Sequence, residues 1–120
     1  IEKAWGGELF VPKIPSYKIT DVASAIGPDC HQEEVGIRPG EKLHEEMITV
    51  SDALNTYDIG KYYAILPQHT VFNREKFITH FNAKLVAPNF SYNSGDNEVW
   101  ETIKSLRELV KIHVDPNFKA

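Results

Sequence analysis

Gly36-Ile37-Arg38-Pro39-Gly40-Glu41-Lys42-Leu43-His44-Glu45 gathers an arginine, a tight-turn dipeptide and four further titratable residues into ten positions. Proline fixes φ near the value that the first turn residue needs, and glycine takes φ > 0 at no steric cost. Pro39-Gly40 therefore predicts a turn with Arg38 and Glu41 drawn together at its ends. Upstream, Glu33-Glu34-Val35-Gly36-Ile37 predicts a strand that delivers Arg38 at its carboxyl end. Downstream, Leu43 and Met47 stand at i and i+4, predicting a short helix over 42–48. A guanidinium is a rigid fork of donors suited to phosphate oxygens, and a carboxylate is an acceptor suited to vicinal hydroxyls, so this turn has the groups to grip a diphosphate and a ribose. The alternative is an exposed ion pair across a turn, worth about 0 to 1 kcal/mol.

Outward from this stretch, Gly6-Gly7 breaks the chain and Glu8-Leu9-Phe10-Val11-Pro12 predicts a strand closed by a proline that cannot donate to a ladder. Ile19, Val22, Ala23 and Ile26 fall at i, i+3, i+4 and i+7 before Gly27-Pro28, an amphipathic helix with its stop signal. Strand, helix and strand make a βαβ-like unit of an α/β fold, in which ligands sit outside the carboxyl ends of the strands. Further on, Ser51 offers a cap to a helical turn at Asp52-Ala53-Leu54, and Asn55 to Gly60 reads as loop. Lys61 to Leu66 predicts a strand, Arg74 to Phe81 a turn of helix, and Lys84-Leu85-Val86 an extended segment. Asn93-Ser94-Gly95-Asp96-Asn97 is loop by composition, and Ile103, Leu106, Leu109 and Val110 mark a helix capped by Thr102 and running to about Ile112.

With 120 residues the chain has the length of a single domain, residues 1–120. Its 42% hydrophobic and 25% charged residues and net charge of -4 are those of an ordinary globular protein. Thirteen Lys and Arg against 17 Asp and Glu supply no basic face, so no nucleic-acid partner is expected. Cys30 is the only cysteine, which excludes an intrachain disulfide and a cysteine-based zinc site and fits a reducing compartment. No apolar run approaches the roughly 18 residues of a membrane span, so no membrane partner and a cytoplasmic location are expected. Ile1 is not an initiator methionine, and Glu2 to Trp5 reads as the tail of an interrupted element, so a fragment of a longer protein is expected.

Other motif matches fail on physical grounds. Tyr57-Asp58-Ile59-Gly60-Lys61 has the Y-x-x-x-K spacing of an acid/base pair on one helical turn, but Gly60 disfavours helix and Tyr62-Tyr63 begin a strand. His44-Glu45-Glu46-Met47-Ile48 begins like a zinc-binding H-E-x-x-H and has isoleucine where the second histidine belongs, so no metal site is expected. His31, His69, His80 and His113 have no partners at ligand spacing, and Lys13 and Lys42 are weak anion ligands. Neither G-x-x-x-x-G-K nor a dinucleotide glycine fingerprint occurs.

Three stretches together resemble a known family: Gly6-Gly7-Glu8-Leu9-Phe10-Val11-Pro12-Lys13-Ile14-Pro15-Ser16, then Val35 to Glu45, then Phe90-Ser91-Tyr92-Asn93-Ser94 leading to the terminal helix. The chain is similar to the C-terminal part of inverting UDP-N-acetylglucosamine 4,6-dehydratases, of the extended short-chain dehydrogenase/reductase superfamily. The resemblance implies a small α/β substrate-binding subdomain of short strands with flanking helices, with the Rossmann domain absent from this chain. It implies that the intact enzyme binds NADP in that missing N-terminal domain, oxidises C4 of the sugar, eliminates water across C5 and C6, and returns hydride to C6 with inversion at C5. The catalytic pair and the cofactor site then lie outside this chain, which alone is expected to hold no cofactor and to be inactive. The same resemblance puts Arg38 at the UDP phosphates and Glu41 at the ribose, and implies a homo-oligomer. Pro39, where a related dehydratase/epimerase branch tends to carry histidine, favours the flagellin-glycan (pseudaminic acid) branch. Two other readings are another nucleotide-sugar epimerase or dehydratase of the superfamily and a non-catalytic nucleotide-sugar-binding module.

Overall fold

The computed structural model describes residues 4–69 and 71–120; the expected element tail at Glu2 and Lys3 lies outside them. In chain order the elements are β1 (Leu9–Pro12), α1 (Ile19–Ile26), β2 (Glu46–Ile48), a 3-10 turn (Ala53–Asn55), β3 (Thr56–Asp58), β4 (Tyr62–Ile65), α2 (Arg74–Phe81), β5 (Lys84–Leu85), β6 (Tyr92–Asn93) and α3 (Ile103–His113). They form two compact units, one of Ile1–Ile14 with Glu46–Asn93 and one of Pro15–Glu45 with Ser94–Ala120.

The first unit is a four-stranded antiparallel sheet in the order β1-β4-β3-β5. β3 and β4 are joined through Gly60, whose φ of +91° only glycine adopts readily. The Asp58 carboxylate accepts the Gly60 N–H at 2.8 Å, as turn chemistry favours. β1 is an edge strand, which tolerates Pro12 and its missing donor. Ala64, Leu66, Phe72 and Phe77 are buried as one cluster, with Phe10, Tyr57, Ile59 and Phe81 packed against it. Phe77 and Phe81 share a face of α2 at i and i+4, their rings 4.5 Å apart. Asn73 caps α2 by accepting the Lys76 N–H at 2.9 Å, and Asn82 ends it in the left-handed conformation. In the same unit β2 pairs antiparallel with β6. The Tyr92 hydroxyl donates to the Ile14 carbonyl and accepts from the Ile14 N–H, each at 2.8 Å.

The second unit packs α1 with α3. Arg107 of α3 donates through Nε to the Ala25 carbonyl (3.1 Å) and through a terminal amino group to the Ser24 carbonyl (3.2 Å). These are carbonyls of the last turn of α1, which have no partner within the helix, and a cation there also complements the helix dipole. α3 begins in a reciprocal capping box of Thr102 and Ser105. Ser16 is tied to the strand-like segment before α3: its N–H donates to Val99 and its carbonyl accepts from Glu101.

Short strands with helices are as expected; the helices at 19–26 and 103–113 fall where periodicity and end signals put them, and the single turn expected over 74–81 is a full helix. The βαβ expectation is corrected. The neighbour of β1 is β4, antiparallel, so no carboxyl edge of a parallel sheet organises the turn. The strand expected over 33–37 does not form: those residues are exposed and irregular, and Gly36 at φ +81° interrupts the extended run. An extended segment with no ladder partner leaves its backbone groups to water. The helix expected over 42–48 is also corrected, because Glu46–Ile48 pairs with β6 and buries Ile48 completely. Seven residues are too few for a helix without tertiary support, and here that support goes to a strand. Ser51 does not cap the 3-10 turn; Asp52 holds the cap position, and its carboxylate accepts from the Thr49 hydroxyl at 2.6 Å. Thr56–Asp58, read as loop, is β3.

Candidate functional site

Arg38 and Glu41 are brought together. The Glu41 N–H donates to the Arg38 carbonyl at 3.1 Å, closing a four-residue turn. Gly40 has φ +88°, and because Pro39 cannot take positive φ the turn is of type II. The Arg38 N–H donates back to Glu41 Oε2 at 3.0 Å, so the carboxylate staples the turn from the side-chain direction. Glu41 Oε1 lies 3.7 Å from Arg38 Nε, an ion pair with the two side chains 81% and 51% exposed. At that exposure the pair adds little to stability. Its geometric effect is larger: the carboxylate is fixed beside the guanidinium, and the guanidinium is presented to solvent with its fork available to an anion.

The segment after the turn is anchored at its far end. The Glu45 N–H donates to Ser94 Oγ at 3.0 Å, and the Ser94 N–H donates to the Glu45 carbonyl at 2.8 Å. The second and third sequence stretches that carried the resemblance thus meet in space at Glu45 and Ser94. Composition marked Asn93 to Asn97 only as loop; a serine with two partners has no sequence signature of its own.

The remaining sequence candidates are placed elsewhere. Lys13 bonds both Asp58 oxygens at 2.8 Å and lies 4.5 Å from the centre of the Tyr63 ring, so it is engaged in the sheet unit. Partial burial pushes the Asp58 carboxyl up, but the Lys13 hydrogen bonds, the Gly60 N–H and the charges of Lys13 and Lys84 outweigh it and hold Asp58 below its ordinary value. Tyr57 and Lys61 are not on one helical turn: Tyr57 is in β3, with Gly60 turning between them. His80 packs on Trp5 and Phe81, with ring centroids 5.4 and 4.7 Å apart. Among the described residues no group of three or more metal-ligating side chains converges, and no helix is long and apolar enough to cross a membrane.

Residues 1–67 match the family model described as polysaccharide biosynthesis protein. The chain belongs to that family. This family member is 42% identical over 114 residues to the UDP-N-acetylglucosamine 4,6-dehydratase (inverting) of Campylobacter jejuni serotype O:2, covering 91% of this chain and 34% of that protein. The protein of the same name from serotype O:23/36 is 41% identical with the same coverage. These relatives bear out the expected resemblance and the extended short-chain dehydrogenase/reductase superfamily. An uncharacterized membrane protein of Methanocaldococcus jannaschii is 32% identical over 92 residues, covering 68% of this chain and 27% of its own length. Among solved structures, Pen from Bacillus thuringiensis superposes with a TM-score of 0.65 at 27% identity, over 89% of this chain and 32% of that one. The family member described here therefore spans about a third of the length of the curated relatives it matches, 34%.

Proposed function

We propose that this chain is the substrate-binding part, the C-terminal portion, of a nucleotide-sugar dehydratase that acts on UDP-N-acetylglucosamine, with Arg38 at the diphosphate and Glu41 at the ribose. The observation that carries the reading is the stapled Arg38–Glu41 turn with its arginine side chain 81% exposed, in a chain 42% identical to a protein named for that reaction. Arg38 supplies parallel N–H donors to two phosphate oxygens, a charge-assisted contact stronger than a neutral hydrogen bond. The Glu41 carboxylate, with about four lone-pair sites, accepts from a ribose hydroxyl while still holding the Arg38 N–H. The two contacts fix the nucleotide, and through it the sugar, against whatever groups do the chemistry.

NADP, the redox cofactor of such a reaction, does not fit the described residues. The paired-glycine turn at Gly6 and Gly7 is the nearest thing to a phosphate cradle, and the Glu8 carboxylate already accepts the N–H groups of Trp5 and Gly6 there. The cofactor is accordingly assigned to another part of the intact enzyme, and no step is derived through it. Cytoplasmic location, homo-oligomeric assembly and a role in pseudaminic acid synthesis for flagellin glycosylation belong to the same proposal.

The test is turnover of UDP-N-acetylglucosamine by the intact protein. Arg38→Ala is expected to lower kcat/KM by roughly 10- to 150-fold, about 1.5 to 3 kcal/mol for a charge-assisted contact. Arg38→Lys is expected to recover only part of this, since a point charge lacks the fork. Unchanged kinetics in both variants would reduce the turn to a surface ion pair.

A further inference from the structure

His44 stands three positions after Glu41, so the two α-carbons are no more than about 11 Å apart even when the chain is extended. What holds His44 and Glu45 therefore also limits where the turn can stand. Glu45 is held by its two hydrogen bonds with Ser94. His44 is held differently: its ring lies over Gly95 so closely that a Cβ built there would meet His44 Cγ at 2.8 Å, Cδ2 at 2.9 Å and Nδ1 at 3.0 Å. Ordinary contact between carbon atoms is about 3.5 to 4.0 Å, so the ring occupies space that any other residue at 95 would fill. Cγ is the root of the ring, and relief requires swinging the whole imidazole or moving the backbone of the 36–45 segment.

Gly95 is not among the positive-φ glycines, which are Gly6, Gly7, Gly36, Gly40 and Gly60. Glycine is thus not required at 95 by backbone conformation. The bare Cα leaves room for the His44 ring, and we infer that Gly95 and His44 form a positioning clamp that sets the stance of the Arg38–Glu41 turn toward a nucleoside diphosphate. The clamp touches no substrate; it acts through the turn, and it rests on the reading of Arg38 and Glu41 given above. Its action is steric. A methyl at 95 pushes the ring back by roughly 0.5 to 1 Å, and displacements of about 1 Å in a positioning group are known to cost up to about 100-fold in rate.

The experiment is calorimetric titration of the intact protein with UDP, together with steady-state kinetics and thermal unfolding, for Gly95→Ala, His44→Ala, the double variant and Arg38→Ala. Gly95→Ala and His44→Ala are each expected to weaken UDP binding about tenfold and to raise KM with kcat little changed. The double variant is expected to be no worse than the weaker single, the coupling that marks two halves of one contact. A purely structural role would instead lower kcat through loss of folded protein and leave KM alone. If Gly95→Ala fails to fold, His44→Ala, a change at an exposed side chain, carries the test. Wild-type affinity in His44→Ala alongside a loss in Arg38→Ala would overturn the clamp and leave the binding role of the turn standing. Wild-type affinity in Arg38→Ala would overturn both.

Discussion

The two units of this chain are built on different physics. In the sheet unit Val11, Ile48, Ala53, Thr56, Ala64, Leu66, Phe72 and Phe77 are buried. In the unit that carries the turn, among the described residues, only Ser16 and Ala25 are. One is held by an aromatic core, the other by hydrogen bonds, caps and turn chemistry. α3 shows the contrast most plainly: it has no buried residue, yet its Thr102–Ser105 box fixes its start and the Arg107 clasp on α1 holds its middle. The difference teaches that burial marks the scaffold here and misses the candidate site, whose residues are exposed and locally stapled.

The comparison breaks most easily in the core. Phe77→Ala is expected to cost about 3 to 5 kcal/mol, because it removes a fully buried ring and leaves a cavity among Phe72, Phe81 and Leu66. Chemical denaturation of the intact protein measures it. A loss under 1 kcal/mol would mean that the cluster is not the core. In the other unit the largest single effect is expected from Arg107→Met, which keeps the apolar stem and strips the donors from two helix-end carbonyls, at about 1.5 to 3 kcal/mol. If that variant is as stable as wild type, water replaces the clasp at no cost.

Thr102→Ala, by the same denaturation measurement, is expected to lose about 1 kcal/mol with its capping box. The smallest effect concerns Lys13 and Asp58. As a half-exposed pair they are worth about 0.2 to 1 kcal/mol. The folded pKa of Asp58 is depressed, so its contribution is present above the unfolded value of about 3.9 and is lost as pH falls through the folded one. The gap in Tm between wild type and Lys13→Met should therefore be open at neutral pH and narrow below about pH 4. A gap that persists unchanged in acid would show packing on Tyr63, rather than charge, as the role of Lys13.

Sequence legibility follows the same division. α1 and α3 were readable because periodicity and end signals are local properties, and β1 and β4 because apolar and aromatic runs between turn residues leave few options; α2, whose pattern is weaker, was legible only as a turn of helix. The Pro39-Gly40 turn was readable for the same reason, down to the positive φ at Gly40. Pairing was not. Whether Glu46 to Ile48 becomes helix or strand depends on Tyr92 and Asn93, more than 40 residues away, and no local pattern reports that. Equally invisible were Arg107 on the α1 carbonyls and Gly95 under His44, long-range contacts of residues whose types are common on any surface. At the site, the residue pair was legible and its staple was not: the Arg38 N–H bond to Glu41 appears only when the turn is closed.

The central claim is that one exposed turn grips a diphosphate through Arg38 and a ribose through Glu41. The most direct measurement is the affinity of the intact protein and of its Arg38→Ala and Glu41→Gln variants for UDP and for its 2′,3′-dideoxy analogue. Glutamine keeps an oxygen for the Arg38 N–H, so the turn survives the change. Arg38→Ala is expected to weaken both ligands by the same factor, roughly 10- to 150-fold, the loss of one charge-assisted contact. Glu41→Gln is expected to weaken UDP and leave the dideoxy analogue unaffected, so that coupling with the ribose hydroxyls appears for Glu41 alone. Equal affinities across all three proteins for both ligands would contradict the account and leave the turn as a surface ion pair.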